Sequence, residues 1–336
     1  MLSKVDLSRI RIKLENISRK ATRFVSFVPS DMEIGLQEFY MSPTMKCLEP
    51  LGASYLLKPE CNSLMKEWNI YAYDESVQNF RALEGDLLFL SSATIKIEDK
   101  YRFNLSVLPY FLTSMRKFKD ACDEDICFAE NIGEECNRIL VTSKKDSILE
   151  SVEPHSIVLI DGPLIGGNAS FYMVGMDEEL RKRDCIPLYF VKNSDSKLVV
   201  EGMERIDPQF SSEFNSDFHW ASRRLRESRR SAFFKYTDEH KHQNSKVFAY
   251  VKALAGFTER IEMHSSTYAK YHSLMPSLMN LMAYFYIVQG DCSNPQVRPI
   301  AIAEKFAREG LRMLNIPVLL RKLGFSPTIN QVRFGG

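Results

Sequence analysis

The sequence has no run approaching the ~18 consecutive apolar residues that a membrane span requires. Its most apolar stretch, Leu278 to Val288, is short enough to read as a buried helix. The start, MLSKVDLSRIRIKLENISRKA, carries a charge every few residues and lacks the apolar core of a secretory signal. Cysteine is sparse. The seven residues (Cys47, Cys61, Cys122, Cys127, Cys136, Cys185 and Cys292) are odd in number, scattered, and form no CxxC pair. Together with six histidines that show no zinc-ligand spacing, this argues for reduced thiols in a cytoplasmic protein rather than a disulfide scaffold or zinc module. Gly166-Gly167 lies close after Asp161, but without the GxGxxG or GxxxxGK[ST] spacing of a nucleotide loop. Dinucleotide enzymes and Walker-type ATPases are therefore excluded. Charge of one sign is also missing. Lys and Arg number 44 against 43 for Asp and Glu, so any nucleic-acid contact must come from local clustering.

What is present is an ordinary globular composition, 45% hydrophobic and 26% charged over 336 residues. Residues 3 to about 24 have helical spacing (Ile10, Ile12, Leu14, Ile17) and predict an amphipathic leading helix. Pro29, Pro43, Pro50 and Pro59 punctuate the segment after it. From Trp68 the pattern turns to strands: Asn69–Tyr73, Asp86–Ile97 and Tyr101–Leu108, joined closely enough to predict an antiparallel meander. Lys117 to Val152 reads mostly as helix, interrupted at Gly133. Ser156–Ile160 and Ile186–Val191 read as buried strands with a helix over Glu178–Arg183 between them. Val247–Leu254 and Arg260–Met263 read as later strands, and Ala301–Leu314 as a helix near the end. A meander followed by crossover helices and further strands predicts an α/β protein with a mixed sheet flanked by helices. A division into a 1–65 N-terminal helical or irregular extension and a 66–336 main domain is expected.

Two acids follow strands directly: Asp74 after NIYAY and Asp161 after SIVLI. Open α/β sheets place ligands at the carboxyl ends of their strands, and a hard divalent cation often uses only one or two protein carboxylates. The plainer reading is that each acid is a turn or cap residue, and Asp161-Gly162-Pro163 is a turn signal. A second cluster is Arg223-Arg224-Leu225-Arg226-Glu227-Ser228-Arg229-Arg230, five arginines in eight residues. On a helix, Arg223, Arg226 and Arg230 would share one side and suit a phosphate backbone. The alternative is a solvated helix face with internal ion pairs. Trp220, Phe233 and Phe234 flank the run as base-stacking or core residues.

Several blocks, in order, resemble the NurA nucleases of the RNase H-like fold. Tyr71-Ala72-Tyr73-Asp74-Glu75-Ser76 is similar to the family's first motif, with Glu75 at its glycine position. Ser156 to Leu164 (SIVLIDGPL) is similar to the second strand motif, and Val191 to Ser196 (VKNSDS) to the Val-Lys-x-Ser segment after it. Phe248-Ala249-Tyr250-Val251-Lys252 and Glu259-Arg260-Ile261-Glu262 resemble the two late strands. The resemblance spans about residues 69 to 310. It implies a nuclease dependent on Mn²⁺ or Mg²⁺, with two ions near Asp74 and Asp161. A third acid is implied on the helix before the second strand, where Asp146 is nearest and Glu135 and Glu150 are alternatives. In the last motif, Glu304 stands at the family's histidine position and Gln296 at its tyrosine position. The departure fits either lost activity or an all-carboxylate site. Glutamate is at least as good a ligand for these ions as imidazole, which favours the second.

As partners, the resemblance implies DNA, gripped by Arg223, Arg224, Arg226, Arg229 and Arg230, a HerA-type hexameric ATPase, and a second copy of the chain in a homodimer. The pair would serve DNA end processing in repair or antiphage defence. The leading helix and the 276–288 segment are candidate contact surfaces. A catalytically inactive DNA-binding or scaffolding subunit is the rival reading, and Gln296 and Glu304 are its basis. An unrelated α/β protein is a third.

Overall fold

The computed structural model describes residues 7–21, 39–50, 54–60, 63–98, 101–119, 126–166, 170–205, 213–241, 243–254, 257–290, 294–325 and 327–328. The first element is helix α1 (Leu7–Ala21), on which Ile12, Leu14 and Ile17 are exposed. Short strands β1 (Phe39–Tyr40), β2 (Met45–Cys47) and β3 (Tyr55–Leu56) and the one-turn helix α2 (Leu64–Glu67) follow. The expected meander is then realised by β4 (Asn69–Arg81), β5 (Asp86–Ile97) and β6 (Arg102–Thr113), paired antiparallel in sequence. After β7 (Ile126–Phe128), helix α3 (Ile132–Ser151) crosses to β8 (Ser156–Asp161), and α4 (Ser170–Lys182) crosses to β9 (Ile186–Val191). Both crossovers produce parallel pairs, β4 with β8 and β8 with β9.

The second half begins with α5 (Leu198–Glu204), α6 (Asp217–Arg224), β10 (Arg229–Arg230) and β11 (Phe234–Thr237). Strands β12 (Ser245–Leu254) and β13 (Phe257–His264) form a hairpin whose second strand pairs antiparallel with β9. The chain continues through α7 (Ser265–Lys270), α8 (Met275–Gln289), α9 (Arg298–Leu314) and α10 (Ile316–Lys322). All the described strands belong to one mixed sheet, in the order β1-β2-β11-β12-β13-β9-β8-β4-β5-β6-β7, with β10 and β3 branching from β12. The 39–60 stretch of the expected extension therefore contributes edge strands to the main sheet, β2 against β11 and β3 against β10.

The sheet is covered on both faces, so its central strands are apolar runs rather than alternating ones. All six residues of β9 are buried, and so are nine consecutive residues of β5. On one face, Ile70, Ala72, Leu159, Leu188, Phe190 and Ile261 pack against α8 through Leu278, Met279 and Met282. On the other, Tyr71, Tyr73, Val158, Ile160 and Tyr189 meet Ile148 of α3 and Met173, Met176 and Leu180 of α4. The two sets alternate along each strand, as the period-two pleat requires. Helix α8 is the buried helix expected over Leu278–Val288 and belongs to the core. Among the described residues, no helix is long and apolar enough to cross a membrane.

Two expectations are corrected here. The 117–152 stretch is helical over most of its length, but the helix is not broken at Gly133 and does not reach back to 126–128. Ile126–Phe128 pairs parallel with the end of β6, and α3 begins at Ile132. The Asn131 side chain accepts from the Glu134 N–H, which is an N-cap, so Gly133 falls inside the first turn. The first strand does not stop at Tyr73 either. It runs on through Asp74 to Arg81, because β5 pairs along its whole length while β8 leaves it after Tyr73.

Helix α9 lies close against β5 at Gly310. A Cβ there would stand 2.5 Å from Ser91 Oγ and 3.2 Å from the Val107 side chain. Gly310→Val is expected to cost about 1–3 kcal/mol of stability through overpacking. Urea denaturation read by circular dichroism checks this.

Candidate active site at the carboxyl ends of the parallel strands

The register decides what meets at the strand ends. Tyr73 pairs with Ile160, Ile160 with Tyr189, and Asp161 with Phe190. Asp74 and Asp161 are thus the next residues on adjacent parallel strands, whose spacing is about 4.8 Å. Asp74 is only 4% exposed, and its Oδ1 accepts the Glu75 N–H at 2.7 Å. Burial, and then the charge of Asp161, push the Asp74 carboxyl up to about 7.

Lys192 follows β9 directly, and its Nζ lies 3.1 Å from Asp161 Oδ2. Burial works against its charge. The fields of Asp161, Asp74 and Glu304 outweigh that and hold the ammonium above its ordinary pKa. Glu304, on the inner side of α9, is held by Asn294 at 3.1 Å and also by Gln296 and Arg308. Its charge acts on both Asp74 and Lys192, so Glu304 on α9 lies within electrostatic reach of them without touching either.

Two further groups occupy this end. Glu259, on β13 beside the Arg260–Val191 pair, is buried. It accepts from the Tyr286 hydroxyl through one oxygen, while Oε1 has no hydrogen-bond partner. Burial pushes its carboxyl up to about 7 against the Tyr286 hydrogen bond and the Lys192 charge, and Asp161 adds to the rise. Gln296 is also buried and leaves Oε1 unpartnered. The sequence had a signal for Glu259: three charged residues, Glu259, Arg260 and Glu262, in a strand otherwise headed for the core. Glu262 is the anchor among them. It meets Lys246 Nζ at 2.6 Å, Arg260 Nε at 2.8 Å and the Leu164 N–H at 3.0 Å. Those cations hold its carboxyl low despite full burial.

The α3 acids are placed elsewhere. Asp146 and Glu150 line a polar cleft of about 400 Å³ with Ser92, Asn104, Ser106 and Ser147. Glu135 forms an ion pair with Arg138 near the start of the helix, Nε to Oε1 2.9 Å. The residue that α3 sends to the strand ends is Lys144. It shares a buried helix face with Ile148 one turn on, whereas Asp146 is rotated away by two residues. Its Nζ is 3.1 Å from Glu75 Oε1 and 3.1 Å from the Asp161 carbonyl oxygen.

The arginine run is not one helix. Helix α6 ends at Arg224, Leu225 is extended and buried, and Ser228 turns the chain at φ +57°. Arg229 donates to the Ser54 carbonyl at 2.8 Å. Arg230 is buried, with both guanidinium NH groups on Glu49 at 2.6 and 2.9 Å, and lies over the Tyr55 and Phe233 rings. Arg224 is half-buried over Phe214, whereas Arg223 and Arg226 are exposed. Trp220, Phe233 and Phe234 are core residues.

No protein-family model matches the sequence, and no curated protein matches it. Solved structures do. The NurA nuclease from Sulfolobus solfataricus aligns with 96% of this chain and 98% of its own, at 11% identity and a TM-score of 0.53. The fold is NurA-like. This is the RNase H-like mixed sheet flanked by helices that the motif order implies. A second NurA structure, with manganese, aligns with 94% of the chain and 98% of its own at 9% identity and a TM-score of 0.45. A Ciona intestinalis endonuclease V bound to DNA aligns with 77% of the chain and 92% of its own at 13% identity and a TM-score of 0.33. Within the NurA-like fold, Asp74 and Asp161 are the pair that suits a hard divalent cation. Among the described residues, no three His, Cys, Asp or Glu side chains stand close enough to share one ion.

Two stability predictions follow from this electrostatic arrangement. Asp74 and Glu259 bind protons more tightly folded than unfolded. Their contribution is full below about pH 4 and is lost as pH rises through about 7. With chelator present, urea stability is expected to fall between pH 5 and pH 8, and Glu259→Gln should shrink that fall by up to about 3 kcal/mol. Glu262→Ala leaves two buried cations unpaired and is expected to cost about 3–5 kcal/mol in the same assay.

Proposed function

We propose that this chain is a divalent-metal-dependent deoxyribonuclease that hydrolyses phosphodiester bonds in DNA end processing or antiphage defence. The observation that carries the reading is the placement of Asp74, where the parallel pairing of β4 with β8 ends, beside Asp161 at the carboxyl end of β8. The NurA-like fold supports nuclease chemistry at that place. Asp74 and Asp161 would hold Mn²⁺ or Mg²⁺, with water and substrate oxygens completing the shell, a donor set that suits these ions, and Glu304 on α9 would add its negative charge nearby. When bound, such an ion supplies a water of lowered pKa and positive charge opposite the phosphate. Lys192 makes its hydrogen bond to Asp161 and is partly exposed, so its ammonium is available to a phosphate oxygen. Asn294, Gln296 and Arg308 orient Glu304. Arg223 and Arg226 are the exposed members of the arginine run and would meet the DNA backbone, whereas Arg229 and Arg230 bind Ser54 and Glu49. The chain would act as a homodimer with a HerA-type hexameric ATPase in the cytoplasm.

An inactive DNA-binding or scaffolding subunit is the second reading. Lys144 at the strand ends and the Arg308 contact on Glu304 are the observations that favour it.

Cleavage of labelled linear single- and double-stranded DNA with Mn²⁺, Mg²⁺ or EDTA separates the two. An active site of this kind is expected to lose at least about 100-fold in rate in Asp161→Ala and in Asp74→Asn, with both proteins still folded. Loss in Glu304→Ala as well would place that acid in the machinery. DNA binding without cleavage under every condition, by the wild type, would establish the scaffold.

A further inference from the structure

Five acids and three cations meet at the strand ends, one of the acids being the buried Glu259, and their pairing limits what else can bind. Asp161 is paired with Lys192 at 3.1 Å, Glu75 with Lys144 at 3.1 Å, and Glu304 with Arg308. Asp74 has no ion pair among the described residues and only a backbone N–H on its Oδ1. Glu75 has no oxygen to spare, since its Oε2 accepts from the Tyr73 hydroxyl at 2.8 Å. Lys144 is firmly seated. It is buried, donates to the Asp161 carbonyl at 3.1 Å, and its Nζ lies 5.6 Å from the centre of the Tyr73 ring. One ammonium group thus grips the end of β8 from the α3 side of the sheet, while Lys192 grips the Asp161 carboxylate itself.

We propose that the site takes a single divalent ion, on Asp74 and Asp161, and that Lys144 is a positioning residue whose fixed charge replaces a second one. The proposal rests on the metal-dependent reading given above. Its physical content is charge accounting. With every acid ionised, Glu259 included, the surplus at the strand ends is two negative charges, which one dication bound by Asp74 and Asp161 already cancels. A second dication would find Glu75 and Glu304 already ion-paired, Glu259 buried on the Tyr286 hydroxyl, and an ammonium group at hand, and like charges repel strongly in a partly buried setting. Lys144 also holds the Asp161 main chain, so it fixes the level at which that carboxylate stands relative to Asp74. Phosphate charge that a second ion would have met falls to the partly exposed Lys192 instead, while buried Lys144 acts only through its fixed charge.

The test is calorimetric titration of the full-length chain with Mn²⁺ alone, without DNA. Wild type is expected to take one ion per chain, and Lys144→Glu two. Two ions in the wild type, or one in a Lys144→Glu protein with native circular dichroism, would overturn the proposal. If Lys144→Glu does not fold, Lys144→Gln is read in its place: one ion, bound about tenfold tighter because a nearby positive charge is gone, with wild-type affinity restored in Lys144→Arg. Unchanged affinity in Lys144→Gln would sink the idea. Two ions together with DNA cleavage would defeat this inference and leave the nuclease intact. A wild type that neither binds Mn²⁺ nor cleaves DNA would remove both.

Discussion

The in-register parallel pairing of β4, β8 and β9 is the constraint on which the rest of the molecule depends. It places Asp74 and Asp161 side by side and brings Lys192 beyond the end of the third strand. Parallel neighbours need long crossovers, and here those crossovers contain α3 and α4, which bury one face of the same strands. The opposite face is closed by α8 and α9, and α9 adds Glu304. The sheet therefore buries its middle on both sides, and its charge gathers in two places, around Glu262 and where β8 and β9 end.

Two buried charge systems use that frame differently. Around Glu262, two cations and a backbone N–H answer one carboxylate, a saturated arrangement that ties β13 to β12 and to the loop after β8. At the strand ends the match is incomplete. Asp74 has one backbone donor, and Glu259 and Gln296 each leave an oxygen without a partner. Raised carboxyls beside unanswered acceptor oxygens are a pattern that ligand sites share, and around Glu262 the carboxylate is instead held low by its cations.

Much of the frame could be read from the sequence because burial on both faces leaves uninterrupted apolar runs. DLLFLSSATIKI and IPLYFV carry their own boundaries, and β5 and β9 coincide with them. Asp74 and Asp161 were visible for the same reason, as acids following such runs. The remaining site residues depend on matters that a linear pattern does not carry. Asp146 and Lys144 lie two positions apart on one helix, and only the rotation of α3 against the sheet decides which faces the strand ends. The arginines look alike in sequence, but Arg230 falls opposite Glu49, nearly two hundred positions earlier in the chain, and so belongs to the interior. Strand β7 is three residues long and exists by pairing with β6. Glu259 is distinguished from its charged neighbours by having one oxygen unanswered.

Strand β4 is thirteen residues long, and Asp74 is the sixth. Up to Tyr73 it is held on both edges, by β5 and β8; beyond that, by β5 alone. Mechanically it is a beam clamped on both sides for its first part and cantilevered for the rest. In such a beam, a load on the free arm produces its greatest bending moment where the clamp ends. The change from two-sided to one-sided pairing therefore falls at Asp74, and beyond it α9 and α10 stiffen the arm by packing on β4 and β5.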